Sequence, residues 1–183
     1  MTKRFIQNRY RGSSPGFTLV EVMVIIILIG IIMLFALPNF TSIQRRARIR
    51  AGAQEVGQDL RSVRERALAS GQPYYAIKDG SNRSYHVYLP DGSVQTRDLG
   101  STTGGNLRFG VTIAGVGIPE DPDGLVGTFD FFTGDTCWFE ARGSMSRGAI
   151  YITDGKNDYA VGITALGMIR VYVWSQAGTW NKL

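Results

Sequence analysis

The chain has little of what enzymes and metal proteins depend on. Its 183 residues include one cysteine, Cys137, and one histidine, His86. A single cysteine excludes an intrachain disulfide, and zinc sites need several cysteine or histidine ligands. No glycine-rich phosphate loop stands between a strand pattern and a helix pattern. The sequence therefore predicts a protein that is not an enzyme, with no catalytic residues, no metal and no cofactor.

The remaining polar candidates have ordinary interpretations. His86 alternates with its neighbours in a strand pattern, and Cys137 lies in another, so core or surface positions are favoured over chemistry. Glu120, Asp121 and Asp123 are a candidate for weak calcium binding, with an ordinary acidic loop as the favoured interpretation.

Positive charge is concentrated at one end of the chain. The formal net charge is +5, but residues 1–16 contain Lys3, Arg4, Arg9 and Arg11 and no acid, which leaves +1 for the remainder. From residue 71 onward, 11 acids face 9 bases. Because non-specific DNA affinity comes mainly from neutralising phosphates, this distribution argues against nucleic acid as the main partner.

One long apolar run, 17–37, follows the basic segment directly. Its 21 residues contain a single charge, Glu21. A helix of that length measures about 31 Å, close to the thickness of the hydrocarbon core of a bilayer, so the run is predicted to span a membrane. The basic residues before it favour a cytoplasmic N-terminus, although four arginines between 45 and 50 oppose that orientation.

A small residue suited to cleavage precedes the apolar run. Ordinary secretory signals place it after the run, whereas here Gly16 stands before Phe17. The basic leader, the motif Gly-Phe-Thr-Leu-Val-Glu over 16–21 and the immediate apolar span closely resemble the N-terminus of type IV prepilins and type II secretion pseudopilins. The resemblance implies that a prepilin peptidase cuts between Gly16 and Phe17, that the Phe17 amine is methylated, and that the subunit assembles into a helical filament.

Glu21 has two interpretations. A carboxylate inside a membrane span costs about 2.5–3.5 kcal/mol on insertion scales, so a cationic partner is expected. The resemblance implies that this partner is the Phe17 amine of a neighbouring subunit, which sets the axial register. The alternative is an acid in the first helical turn, favoured by the helix dipole and close to lipid headgroups. The assembly role is the favoured one.

The helical pattern continues past the apolar run. Apolar residues recur at helical spacing from Val56 to Ala67 and predict an amphipathic helix over 38–70, ended by Gly71. The arginine cluster at 45–50 is predicted to contact lipid headgroups before assembly. Pairing with acids of adjacent copies is the prediction for the filament.

Gly30 and Pro38 bracket a weak stretch of this helix. Proline cannot donate to the carbonyl four residues earlier, so a kink is expected at Pro38. In assembled type IV pili the matching stretch is often unwound, which the resemblance carries over as a hypothesis beside the plain kink.

After residue 71 the apolar period changes from near four to two, which predicts an antiparallel β-rich head over 71–183. Residues 115–127, rich in glycine and proline, are predicted as loop. The predicted strands are Tyr74–Lys78, Ser84–Leu89, Ser93–Arg97, Leu107–Ile113, Thr128–Phe132, Thr136–Ala141, Ala149–Thr153, Tyr159–Thr164 and Met168–Trp174.

The last third of the chain is similar to the C-terminal domain of H-type pseudopilins and of minor pilins of the fimbrial T and U kind. An aromatic strand, a glycine-containing stretch, a hairpin and a final strand opening on Gly-Met-Ile-Arg at 167–170 carry the similarity, which implies a β-sandwich packed on the helix. Alternation places Arg170, Tyr172 and Trp174 on one strand face, a candidate contact for a neighbouring subunit or for DNA. DNA-uptake minor pilins carry Gly-Arg-x-Arg here, and Met168 replaces the first arginine, so the subunit contact is favoured.

The chain is therefore predicted to be α+β: a leader over 1–16, a transmembrane and filament-core helix over 17–37, an amphipathic helix over 38–70, and a sandwich-like head over 71–183. The predicted function is a minor pilin or pseudopilin of a type IV pilus or a type II secretion pseudopilus, with a DNA-binding minor pilin as the alternative. Predicted partners are other subunits, prepilin peptidase, the inner-membrane assembly platform and membrane lipid, with DNA less favoured. The predicted location is the inner membrane, with a cytoplasmic leader and a periplasmic head, and then the filament.

Overall fold

A computed structural model of the chain describes residues 16–101, 104 and 106–183, without the side chains of 35–39. Residues 1–15 of the predicted leader lie outside this description. The chain divides into two compact units, one ending at Thr41 and the other covering Ser42–Leu183, and each is described by itself.

One helix, α1 (Leu19–Ser70), contributes to both units. Its first turn is capped by Thr18, whose hydroxyl accepts a hydrogen bond of 3.2 Å from the amide of Glu21. Gly71 follows the last turn with a φ of +65°, a left-handed conformation that ends helices, so the predicted end of the helix is confirmed. α1 is unbroken from Leu19 to Ser70, and the unwinding between Gly30 and Pro38 predicted for a filament stays a prediction.

The described residues after 71 form two antiparallel sheets. The first has four strands in the order β3-β2-β1-β6, and the second has six, in the order β10-β9-β8-β7-β4 with β5 also pairing with β7. The strands are β1 (Tyr74–Lys78), β2 (Ser84–Tyr88), β3 (Val94–Asp98), β4 (Arg108–Phe109), β5 (Phe129–Phe131), β6 (Thr136–Phe139), β7 (Gly148–Thr153), β8 (Asp158–Ile163), β9 (Ile169–Trp174) and β10 (Trp180–Lys182).

The second part of α1 and both sheets share one apolar core. Leu60 is fully buried and represents the helix stripe predicted from the spacing. Ala76 and Val87 contribute from the first sheet, and Ile150 and Val161 from the second. Period-two alternation explains these strand positions, because every second side chain of a strand faces the same way. The predicted helix packed on an antiparallel head is confirmed.

One predicted strand is much shorter than expected. The structure pairs only Arg108–Phe109 of the predicted Leu107–Ile113 strand with β7. Gly110 follows with a φ of +119°, which turns the chain out of the sheet. Residues 111–127, called the strap below, then cover the outer face of the six-stranded sheet, where Ile118 packs with Tyr151 and Tyr172. This cover explains why β7 and β8 are buried along their whole length.

Candidate functional site

The predicted cleavage site lies just outside the helix. Gly16, Phe17 and Thr18 are not helical, and α1 begins one residue later at Leu19. Gly16 is exposed, and Phe17 keeps 77% of its surface exposed. A peptide bond in a helix is tied into backbone hydrogen bonds, whereas the bond between Gly16 and Phe17 precedes them. The structure thus places the predicted bond outside the helix, and cleavage there stays a prediction.

Glu21 occupies the third position of α1, in its first turn. Its amide is the donor to the Thr18 hydroxyl, so Thr18 and Glu21 have the spacing of a capping box. Sequence reasoning missed the role of Thr18, although Thr-x-x-Glu before an apolar run is a known signature. Among the residues that the structure describes, the Glu21 carboxylate has no ion-pair partner within 4 Å. The proposed pairing with a Phe17 amine is not tested by this geometry.

From Leu19 to Leu34, α1 is apolar around its circumference apart from Glu21, and its side chains are exposed. Exposed fractions of its large apolar side chains run from 42% at Ile25 to 76% at Leu19. A helix that is apolar around its whole circumference is stable when other apolar groups cover it. Gly30 lies in this part, and an added methyl group there would have no atom within 4 Å.

Within the part of the chain that the structure describes, no helical stretch combines the length and the apolar character that a membrane crossing requires.

In the head, the strand face that carries Arg170, Tyr172 and Trp174 is partly covered. Tyr172 is only 6% exposed, and its hydroxyl donates a 2.9 Å hydrogen bond to Glu120 of the strap. Arg170 pairs with the same carboxylate at 3.2 Å. Trp174 is half-buried, with its ring against that of Trp180 at a centroid distance of 5.1 Å. The structure brings Arg170 and Tyr172 together on an internal acid. The predicted contact of these side chains with a partner stays a prediction. For Tyr172 the burial argues against it.

The strap is held down by two buried carboxylates: Asp158, which sequence reasoning did not single out, and Asp121, which it considered only as a calcium ligand. Asp158 is 1% exposed and accepts hydrogen bonds of 2.6–3.0 Å from the amides of Thr112, Ile113 and Ala114. Asp121 accepts a hydrogen bond from the Tyr151 hydroxyl. These contacts explain why a loop of 17 residues has a fixed place, since charge-assisted bonds to backbone amides are among the stronger ones.

The strap packs closely against Gly162 where it crosses β8. An added Cβ at Gly162 would lie 2.7 Å from Ile118 Cδ1 and 2.8 Å from Glu120 Oε2. Gly162 pairs with Arg170 in the sheet, so its missing side chain makes the space that Glu120 fills. One strand glycine thus determines where the strap carboxylate meets Arg170 and Tyr172.

Burial shapes the titration of the groups under the strap. It raises the pKa of Tyr172, with the hydrogen bond to Glu120 as the second cause. It also raises the pKa of Asp121, and that of Asp130 to about 6, with Asp121, Asp123 and Asp135 adding repulsion in the case of Asp130. Carboxylate oxygens of Asp121, Asp123 and Asp130 lie within 4.8 Å of one another. Clusters of this kind are common without a metal, and no ligand set is assigned.

An exposed apolar helix start, an accessible bond before its cap and a helix that continues into the core of an antiparallel head define the class of pilin-type filament subunits. Two family models match this chain: the prokaryotic N-terminal methylation motif over residues 11–37, and the type II transport protein GspH over residues 52–167. The second match covers more than half of the chain. The chain belongs to the GspH family, and it is a structural subunit of a pilus or pseudopilus.

Individual relatives are more distant. Two fimbrial proteins of Pseudomonas aeruginosa are 25% identical over 149 residues, which is 80% of this chain and 82% of theirs. The type IV minor pilin FimU of Pseudomonas aeruginosa matches with a TM-score of 0.37 at 15% identity, covering 76% of this chain and 90% of FimU. The minor pseudopilin EpsH of the Vibrio cholerae type 2 secretion system gives 0.35 at 15%, covering 74% and 95%. The DNA-binding alternative gains no support from these comparisons.

Proposed function

We propose that this protein is a minor subunit that is cleaved between Gly16 and Phe17, methylated on Phe17, held in the inner membrane through 17–37, and then incorporated into a filament by the same helix. The carrying observation is the exposed, non-helical Gly16–Phe17 bond directly before a capped helix whose apolar side chains are uncovered. The methylation-motif match over 11–37 supports the same proposal.

The proposed partners follow from the chemistry of the segment before α1 and of the apolar helix that follows it. A peptidase that acts at Gly16 must bind the segment before α1 in an extended form, which the backbone at 16–18 permits. Lipid covers the apolar helix before assembly, and helices of neighbouring subunits cover it afterwards. An assembly platform in the inner membrane performs the transfer. Glu21 then pairs with a cation of a neighbour, because an isolated carboxylate in an apolar interior is costly.

The test separates insertion from assembly. Glu21→Ala is compared with Asp98→Ala, which removes an exposed acid at the end of β3, outside the apolar run. Both variants are expected to be cut after Gly16 and to resist alkaline extraction from membranes. Only Glu21→Ala is expected to lose incorporation, by about ten-fold, equivalent to about 1.4 kcal/mol. Equal amounts of both variants in sheared filaments would overturn the assembly role.

A second variant tests the processing step. Gly16→Leu keeps the charge and the apolar run but places a bulky side chain at the predicted cut. The full-length mass is expected to persist in membranes. Processing at the normal rate would contradict cleavage at this bond.

A further inference from the structure

A cavity of about 760 Å³ lies between α1 and one end of the six-stranded sheet. Arg46 comes from α1, Lys156 from the turn between β7 and β8, and Trp174 from the end of β9. Ile113 of the strap and Val173 add apolar surface. Pockets that hold small molecules have volumes of about 300–1,000 Å³, so this cavity has the size of a ligand site.

The two cations of the cavity have no acid of their own. Among the residues that the structure describes, neither Arg46 nor Lys156 has a carboxylate within 4 Å. Asp158 also lines the cavity, but it is 1% exposed and its oxygens are occupied by three amides of the strap. The cavity therefore favours an anionic ligand.

Arg46 is directed at the sheet by its position on α1. Arg46 and Arg50 are four residues apart and share one face of the helix. Burial raises the pKa of Tyr159, which lines the cavity, and the charges of Arg50 and Arg46 oppose that effect. Arg45 and Arg48 do not line the cavity. Of the four arginines for which the sequence predicts lipid contact, Arg46 is thus the one that lines this cavity.

The positive surface continues beyond Arg46. A basic groove between α1 and the start of β9 is lined by Arg50, Arg61, Arg64 and Lys182. Positive potential over a surface of this extent attracts anions to this side of the head.

The two turns around the cavity are held in place. The Asp154 carboxylate accepts hydrogen bonds of 2.8 Å from the amides of Lys156 and Asn157. The turn between β9 and β10 is closed by a hydrogen bond of 2.9 Å from the amide of Ser175 to the carbonyl of Thr179. A site whose frame is fixed before binding loses less entropy when a ligand enters.

The place of Arg46 in the chain indicates where the anion comes from. Exposed apolar side chains continue along α1 past the predicted span to Phe40 and Ile43, with exposed fractions of 58% and 63%. Arg46 follows Ile43 by three residues, less than one turn of helix. Tryptophan and cations next to an apolar helix are typical of the level at which a membrane protein meets lipid headgroups.

We propose that this cavity binds the phosphate group of one anionic phospholipid, with Arg46 and Lys156 on the phosphate and with Ile113 and Trp174 beside the start of the acyl chains. The inference rests on the proposed function, because it requires the apolar helix to lie in a membrane, and it names the class of lipid that holds the head before assembly. A built site differs from the general attraction of a basic segment to an anionic surface, because only the cations that line it matter strongly.

Native mass spectrometry of the full-length protein, purified in detergent from the membranes of native cells, tests the site. Phosphatidylglycerol or phosphatidylcholine is added, and the excess of the first lipid over the second is measured, because both lipids cover the apolar helix. Arg46→Gln and Lys156→Gln should each lower this excess about five-fold. Arg45→Gln is the matched control, because it removes the same charge from an exposed neighbour outside the cavity, and it should leave the excess nearly unchanged.

A competition experiment distinguishes a lipid from a free anion. Inorganic phosphate carries the charge but has no acyl chains to meet Ile113 and Trp174, so an excess of it should leave most of the phosphatidylglycerol bound. Release of the lipid by inorganic phosphate would overturn the lipid assignment. Equal losses from Arg45→Gln and Arg46→Gln would overturn the site, because they would show a general attraction without a specific cavity.

The mass of the N-terminus is measured on the same samples. A mature chain that begins at Phe17, together with equal lipid retention by Arg45→Gln and Arg46→Gln, would reject the lipid site and leave the proposed function standing. An uncut chain in which Arg46→Gln alone loses lipid would do the opposite.

Discussion

The two parts of α1 are the same kind of secondary structure with opposite surroundings. From Leu19 to Leu34 its large apolar side chains are exposed, as with Ile26 at 64%, whereas Leu60 in the second part is fully buried. The second part finds its apolar partner in the sheets of the head. For the first part, we propose that lipid and then the helices of neighbouring subunits supply the apolar partner. The stability of the head and the assembly of the subunit are therefore expected to depend on different residues.

The largest contrast is expected for leucine and isoleucine truncation. Leu60→Ala removes a fully buried side chain and should lower the free energy of unfolding of the head by about 2–5 kcal/mol. Ile26→Ala should change it by less than about 0.5 kcal/mol. Urea unfolding of both proteins in mild detergent, followed by tryptophan fluorescence, gives the comparison. Equal losses of unfolding free energy in the two variants would mean that the two parts of α1 are not independent.

Two carboxylates provide the next contrast. Asp158→Ala would leave three backbone amides of the strap without their acceptor and should cost about 2–4 kcal/mol. Glu21→Ala should leave the unfolding of the head unchanged while it reduces filament incorporation. The same urea series measures the first effect. A stable Asp158→Ala head would show that the strap contributes little.

Two glycines test the comparison at a smaller scale. Gly162→Ala would push a methyl group against Ile118 and Glu120 and should cost about 1–3 kcal/mol. Gly30→Ala meets no neighbouring atom and should instead stabilise the helix by about 0.5–1 kcal/mol. If assembly requires unwinding near Gly30, this second variant also assembles less. Normal assembly of Gly30→Ala would contradict the unwinding hypothesis.

The smallest effect is a pH dependence confined to the head. Burial and neighbouring aspartates raise the pKa of Asp130 to about 6, above the ordinary 3.8. Between these values the folded state binds more protons than the unfolded state, so stability falls as pH rises from about 4 to 6. Because Asp130 is partly solvated, the change should stay below about 1 kcal/mol. Asp130→Asn should remove this dependence of stability on pH. Urea unfolding at several pH values measures it, and the same slope in the variant would show that Asp130 is not its cause.

Sequence reasoning predicted the elements whose cause is local. The helix end at Gly71 and the strand Tyr74–Lys78 follow from spacing and turn residues, and the structure confirms both. The cover of Tyr172 could not be predicted, because Glu120 lies 52 residues away and reaches it only after the sheet has formed. Alternation along β9 gives two faces but cannot say which face another segment covers.

Sequence reasoning could not find the basic groove between α1 and the start of β9, lined by Arg50, Arg61, Arg64 and Lys182, for a related reason. Arg50 and Lys182 are far apart in the chain, and the net charge of the head is slightly acidic, so composition hides a local surplus. The N-terminal site was the opposite case. All of its elements, from Gly16 to Glu21, are consecutive, and a motif of adjacent residues can be read without the fold.

The most direct test of the account is the mass of the mature N-terminus in native cells, measured on membranes and on sheared filaments. We expect a peptide that begins at N-methylated Phe17 in both fractions. A peptide that still carries residues 1–16 in the assembled fraction would contradict it, because the Phe17 amine would then not exist to meet Glu21.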